Sequence, residues 1–292
     1  MSRVGVVGLG IMGSAMTGHL LDAGHEVHGA DVSPDWLDAL SAAGVRPATV
    51  GELARLADLV ITSLPNGEAA LTVCRELADS ARPGLIVVET STLSLEDKLA
   101  CLALLERADA VLLDCPLSGT GAQALERDVV VLGSGDETAF EEVRPVLEAF
   151  SRSVRHLGPF GHGSTMKLVA NLLVAIHNAS TAEAFALGLR AGLDPQQLYD
   201  TVRDGAGGSV IFDRRGPLMV DRQYLPATAR VSMFVKDVGL VQELAASLGL
   251  ETPVLDATLP LYQRAVEAGL GDADAAALLD VLDPQVQAGS LR

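Results

Sequence analysis

Val4-Gly5-Val6-Val7-Gly8-Leu9-Gly10-Ile11-Met12-Gly13 is a β-branched run that ends in G-x-G-x-x-G and passes directly into the helix-forming Ser14-Ala15-Met16. Where a strand turns into a helix, the first glycine of this pattern allows the tight turn. The second lets the backbone approach a pyrophosphate, and the third lets helix pack on strand, with the helix N-terminus facing the phosphates. A lone glycine triplet is weak evidence, but here the strand, the helix and a second strand at 26–30 are all in order. Asp31 ends that second strand 18 residues beyond Gly13, close to the spacing of an acid that accepts the adenosine ribose hydroxyls. Its charge would oppose a 2′-phosphate, and no arginine follows in Val32-Ser33-Pro34, so NAD is expected over NADP. The candidate cofactor contacts are Gly8, Leu9, Gly10, Ile11, Met12, Gly13 and Asp31, with Leu64 and Pro65 where a strand at 58–64 ends.

Outward from this motif, short β-branched runs alternate with helix-length amphipathic segments as far as residue 157, the mark of βαβ units around a parallel sheet. Strands are expected at 3–8, 26–30, 58–64, 85–90, 110–114, 129–134 and 153–157. After Gly158-Pro159-Phe160-Gly161 the pattern becomes helical, with a long helix at 164–190 ended by Gly192 and shorter ones at 195–204, 232–248, 253–268 and 274–282. The fold class is α/β: a Rossmann-type doubly wound parallel sheet, then an all-helical C-terminal domain joined by a long helix. The expected domains are 1–160 for dinucleotide binding and 161–292 for substrate and oligomer contacts, with fraying in the tail from 283.

Composition sets the outer limits. With 292 residues, 49% of them hydrophobic, the chain can bury the cores of two domains. A formal charge of −17 disfavours nucleic acid and anionic membrane surfaces as partners. No apolar run reaches the roughly 20 residues that span a bilayer, and the opening Met1-Ser2-Arg3 leads into a glycine-interrupted run unlike a signal peptide. Cys74, Cys101 and Cys115 form no Cys-x-x-Cys pair and their odd number argues against a disulfide framework, so a reducing, cytoplasmic setting is expected. No cluster has metal-ligand spacing.

Two further segments carry chemistry. Asp114-Cys115-Pro116-Leu117-Ser118-Gly119-Thr120-Gly121 follows a strand and so lies at the carboxyl edge of the sheet, where α/β folds bind ligands. Its amides and hydroxyls suit a carboxylate, and a β-carbon at Gly119 is expected to push that carboxylate away. By itself the loop could be an ordinary turn. Lys167 and Asn171 stand four apart at the start of the long helix, on one face of an otherwise apolar stretch. Alone, Lys167 could equally be an exposed side chain.

Together these segments resemble the β-hydroxyacid dehydrogenase family, the group of 3-hydroxyisobutyrate dehydrogenase and tartronate semialdehyde reductase. The resemblance covers nearly the whole chain. It consists of the Gly-Leu-Gly-x-Met-Gly start, Ser91-Thr92, Asp114-x-Pro116-x-Ser118-Gly119, Gly161-x-Gly163-x3-Lys167-x3-Asn171, and Lys236-Asp237-x-x-Leu240. It implies that Lys167 is the acid/base, that Asn171 holds it and the substrate, and that Ser118 and Gly119, with Thr120, bind the substrate carboxylate. Thr92 and Lys236 are implied as contacts near the nicotinamide end of the cofactor. The implied activity is hydride transfer between NAD(P) and a small hydroxy acid or semialdehyde, in a homodimer or homotetramer. Thr120 replaces the family's usual second glycine and adds a hydroxyl that could read a polyol. An imine reductase-like enzyme and a non-catalytic NAD-binding scaffold are the alternatives; the first usually lacks the lysine, and the second would be expected to lose Lys167 or Asn171.

Overall fold

β1 (Arg3–Val7) is central in its sheet and buried on both faces: Val4 and Val6 enter one core while Val7 enters the other. The computed structural model describes residues 1–284. After β1 come α1 (Ile11–Asp22), β2 (Glu26–Ala30), α2 (Pro34–Ala42), β3 (Arg46–Pro47), α3 (Val50–Leu56), β4 (Leu59–Thr62), α4 (Gly67–Ser80), β5 (Ile86–Glu89), α5 (Leu95–Glu106) and β6 (Val111–Asp114). The six strands are all parallel, in the order β3-β2-β1-β4-β5-β6. This is the expected doubly wound sheet, and the order reverses between β1 and β4. Alternate residues of β4, β5 and β6 supply the two cores, Leu59, Ile61, Ile86 and Val88 on one face against Val60, Val87 and Leu112 on the other. Helix starts follow local chemistry, since Asn66 and Ser94 each accept the amide hydrogen three residues on.

The strands expected at 129–134 and 153–157 leave this sheet. β7 (Leu117–Ser118), β8 (Val130–Gly133) and β9 (Ser153–His156) form a separate sheet, with α6 (Gly121–Leu125) and α7 (Glu137–Ala149) between them. β7 and β8 are antiparallel and β8 and β9 parallel. Only Cys115 and Pro116 separate β6 from β7, far fewer residues than a parallel crossover needs. β3 carries no strand signal in the sequence because it is a two-residue strand containing proline.

The chain divides into two compact units, Met1–Lys167 and Leu168–Arg292, and α8 (His162–Arg190) contributes to both. The second unit also contains α9 (Pro195–Arg203), α10 (Val210–Asp221), α11 (Val231–Ser247), α12 (Pro253–Asp256), α13 (Leu259–Glu267) and α14 (Leu278–Leu282), with a 3₁₀ turn at Ala275–Ala277. By length and composition α8 could cross a membrane. Its buried stripe of Leu168, Ala175, Ala179, Ala182 and Ala186, however, belongs to the core of the helical unit, with Phe212, Phe234, Tyr262 and Leu278. α10 lies where the sequence pattern gives no helix between 204 and 232; it runs through Gly216-Pro217, a pair unfavourable in a helix interior, and a β-carbon at Gly216 would come within 2.4 Å of the Tyr199 ring, so the glycine lets α9 and α10 pack closely. The single helix expected at 253–268 is two, restarted at Leu259-Pro260, where proline suits a first turn and not an interior. Of the tail expected to fray, 285–292 lies outside the described residues.

Candidate active site

The glycines after β1 divide the labour as the spacing requires. Gly8 has φ +87°, and a β-carbon there would lie 2.1 Å from the Ser63 carbonyl oxygen; at Gly13 it would lie 1.9 Å from the Gly8 carbonyl oxygen. Both positions are closed by backbone. At Gly10 nothing stands within 4 Å of a β-carbon, and Gly10, which begins α1, places no side chain over its amides. Open space before uncapped helix amides fits a dinucleotide pyrophosphate. Asp31 follows β2; its Oδ2 accepts from the Leu9 amide at 2.6 Å and its Oδ1 from the Ser33 amide at 2.7 Å. Each oxygen keeps a second lone pair for a ribose hydroxyl. Across the switch point, the Leu64 amide donates to Ser91 Oγ at 2.7 Å, which links the turn of Leu64 and Pro65 to the one carrying Thr92. Leu9 is buried, Ile11 exposed and Met12 half-buried.

Ser118, Gly119 and Thr120 are half-buried at the start of the second sheet. Gly119 has φ +147°, and a β-carbon there would stand 2.7 Å from Val129 Cγ1. The intolerance expected from a bound carboxylate therefore has a nearer cause in the protein's own packing. Thr120 begins α6: its Oγ1 accepts from the Gln123 amide at 3.4 Å and its own amide donates to Gln123 Oε1 at 3.1 Å. The hydroxyl that could read a polyol thus serves as a helix cap. A β-carbon at Gly121 would come within 2.5 Å of Ile11 Cγ2, so this turn lies beside the glycine-rich loop.

Lys167 is half-buried on α8, and Asn171 follows one turn later. Asn171 Nδ2 donates to Asp237 Oδ2 at 2.9 Å, and Lys236 Nζ lies 4.0 Å from Asp237 Oδ1. Asp237 therefore orients a residue the sequence marked out, through a contact between helices 66 residues apart. The Lys-Asp dipeptide was visible in the sequence; what Asp237 touches was not. The sequence does not mark Lys98, which is wholly buried and ion-paired with both Glu89 and Asp114. Nothing in Leu95-Glu96-Asp97-Lys98 distinguishes it from a surface lysine.

Residues 3–158 match the NAD binding domain of 6-phosphogluconate dehydrogenase, and residues 161–282 match the NAD-binding domain of NADP-dependent 3-hydroxyisobutyrate dehydrogenase. The chain is 34% identical to the L-threonate dehydrogenase of Pectobacterium atrosepticum, covering 96% of this chain and 94% of that one. The solved Mycobacterium tuberculosis 3-hydroxyisobutyrate dehydrogenase with L-serine is 29% identical, with a TM-score of 0.91 over 97% of this chain and 99% of that one. An imine reductase of Streptomyces aurantiacus, 24% identical with a TM-score of 0.66 over 96% of this chain and 99% of that one, shares the fold alone. Fold, glycine-rich loop and relatives converge, and the chain belongs to the β-hydroxyacid dehydrogenase family, the NAD(P)-binding oxidoreductases that include 3-hydroxyisobutyrate dehydrogenase.

Proposed function

We propose that this dehydrogenase oxidises the alcohol carbon of a small hydroxy acid with NAD in preference to NADP, with Lys167 as the acid/base. The observation that carries the reading is the placement of Lys167 half-buried on α8, one turn before an Asn171 whose amide is held by Asp237. As the hydride leaves the alcohol carbon, the hydroxyl proton passes to Lys167 Nζ; in reduction the same ammonium returns it. The bound nicotinamide supplies the hydride acceptor. With one N–H of Asn171 given to Asp237, its Oδ1 and second N–H remain to orient Lys167 and the substrate hydroxyl. Ser118 and Gly119 hold the substrate carboxylate, and Thr120 fixes their turn as the cap of α6. Thr92 and Lys236 serve as cofactor contacts. Asp31 supports NAD, because a 2′-phosphate would meet its carboxylate.

Among substrates, L-threonate is the first to test, since relatives 33–36% identical are named for it. The chain acts in the cytoplasm as a homodimer or homotetramer, a reading supported by its unbridged cysteines and by exposed Met166, Val169 and Leu173 along one face of α8. Following NADH absorbance with threonate, 3-hydroxyisobutyrate, glycerate, 4-hydroxybutyrate and serine tests the class, and each good acid is compared with its methyl ester. Lys167→Ala should lower kcat by about 100-fold or more with NADH affinity nearly unchanged. Near-normal turnover in that variant, or equal kcat/KM for acid and ester, would overturn the respective assignment.

A further inference from the structure

The last residues of β5 and β6, Glu89 and Asp114, are register partners in a parallel pair, which sends their side chains to the same face of the sheet. Both are wholly buried, and two adjacent carboxylates there would repel. Lys98 reaches them from α5. Its Nζ lies 2.8 Å from Asp114 Oδ1 and also contacts Glu89 Oε2. Burial opposes the ammonium charge, but the two carboxylates more than offset this and hold its pKa above the ordinary lysine value.

Each carboxylate acts outward on a different part of the site. Glu89 Oε1 accepts from the Ser91 amide at 2.9 Å, and Ser91 Oγ accepts from the Leu64 amide at 2.7 Å, so this arm fixes the turns that carry Leu64, Pro65 and Thr92. Asp114 Oδ2 accepts from the Ser164 amide at 2.8 Å and from Ser134 Oγ at 3.1 Å, while its Oδ1 accepts from Ser164 Oγ at 2.8 Å. Ser134 Oγ accepts from the Gly163 amide at 2.9 Å. Ser164 is in the first turn of α8, three residues before Lys167. A β-carbon at Gly163 would stand 2.2 Å from the Leu132 carbonyl oxygen and 2.7 Å from that of Asp114, so this turn sits directly on the strand ends. One ammonium against two carboxylates leaves a single negative charge, which the positive N-terminus of α8 offsets.

We propose that Lys98 is a positioning residue for hydride transfer: one buried ammonium fixes the cofactor-side turns through Glu89 and Ser91, and the helical turn bearing Lys167 through Asp114 and Ser164. The proposal rests on the reading of Lys167 as acid/base. A buried ion triplet could serve stability alone, but apolar replacements often stabilise as well, and what they lack is this set of outward hydrogen bonds.

The test compares Lys98→Met, Ser164→Ala and Lys167→Ala with the wild type in the full chain. The readouts are kcat, KM, melting temperature, NADH Kd by fluorescence, and the primary deuterium isotope effect on kcat with the fastest hydroxy acid, deuterated at its carbinol carbon. Lys98→Met should lower kcat about 10-fold or more, raise the isotope effect and weaken NADH binding several-fold, since misplacement by 1 Å can cost about 100-fold in rate. Ser164→Ala keeps the ion triplet and the amide bond, so it should lower kcat about 3- to 10-fold with NADH affinity unchanged. Variants that melt earlier but keep the wild-type kcat and isotope effect would overturn the proposal. If Lys98→Met does not fold, Ser164→Ala decides by the same criterion. Wild-type turnover in Lys98→Met and Ser164→Ala beside an inactive Lys167→Ala overturns the positioning role alone. Retained turnover in Lys167→Ala overturns the acid/base reading and the Asp114 arm with it.

Discussion

The Asp31 carboxylate accepts the amide hydrogen of buried Leu9 at 2.6 Å, so the residue proposed to discriminate between cofactors also holds the glycine-rich loop in shape. Asp31→Ala should therefore do two things at once. An unmade hydrogen bond to a buried amide costs about 1–3 kcal/mol, readable in urea unfolding. The ratio of kcat/KM for NAD to that for NADP should fall as well. A wild-type preference for NADP would refute the role given to Asp31.

Gly10 and Gly13 should separate binding from folding. Gly10→Ala meets no protein atom, so its stability should stay within about 0.5 kcal/mol of wild type. Its NADH Kd should nevertheless rise about 10-fold, because the methyl group occupies the approach to the pyrophosphate. Gly13→Ala would drive its β-carbon into the Gly8 carbonyl oxygen and should lose about 1–3 kcal/mol of stability. Calorimetry and NADH titration of the two variants check both. Equal behaviour would refute the division.

At Gly119 strain and crowding coincide, with φ +147° and Val129 Cγ1 at 2.7 Å from a β-carbon. Gly119→Ala is expected to lower stability by about 1–3 kcal/mol and to depress kcat/KM for hydroxy acids. Adding Val129→Ala should restore part of the lost activity by removing the crowding. A double variant no better than the single one would place the fault in the backbone angle.

Alkaline pH should unfold the protein earlier than its carboxylates would suggest. Burial pushes up the Cys115 thiol and the Tyr262 and Tyr224 hydroxyls, the last also through Asp280, and Lys98 is held up by Glu89 and Asp114. Each group binds its proton more tightly when folded than when unfolded. Its contribution is full below the unfolded pKa and is lost as pH rises above it. The urea midpoint should therefore be level to about pH 8.5, fall as unfolded cysteine ionises, and fall faster above about pH 10 with tyrosine and lysine. Cys115→Ala should flatten the first step. A midpoint constant to pH 10.5 would contradict this account.

Much of this was legible in the sequence because it depends on near neighbours. The βαβ rhythm, the roles of Gly8, Gly10 and Gly13, and the helical spacing of Lys167 and Asn171 all follow from residues a few positions apart. Where local signals mislead, the reason is tertiary. Gly216-Pro217 looks like a break, yet α10 runs through it because the glycine gives Tyr199 room.

The doubly wound sheet, the helical second unit and the family follow from the chain alone, since periodicity, turn chemistry and ordered motifs are properties of contiguous residues. That Lys98 is the cation between Glu89 and Asp114, that Asp237 holds Asn171, and that the Thr120 hydroxyl caps a helix emerges once the chain is folded. Lys98 reads as an ordinary lysine until strand register sets two carboxylates side by side and buries them. Their electrostatic demand then comes from residues far apart in the chain, and no local pattern records it.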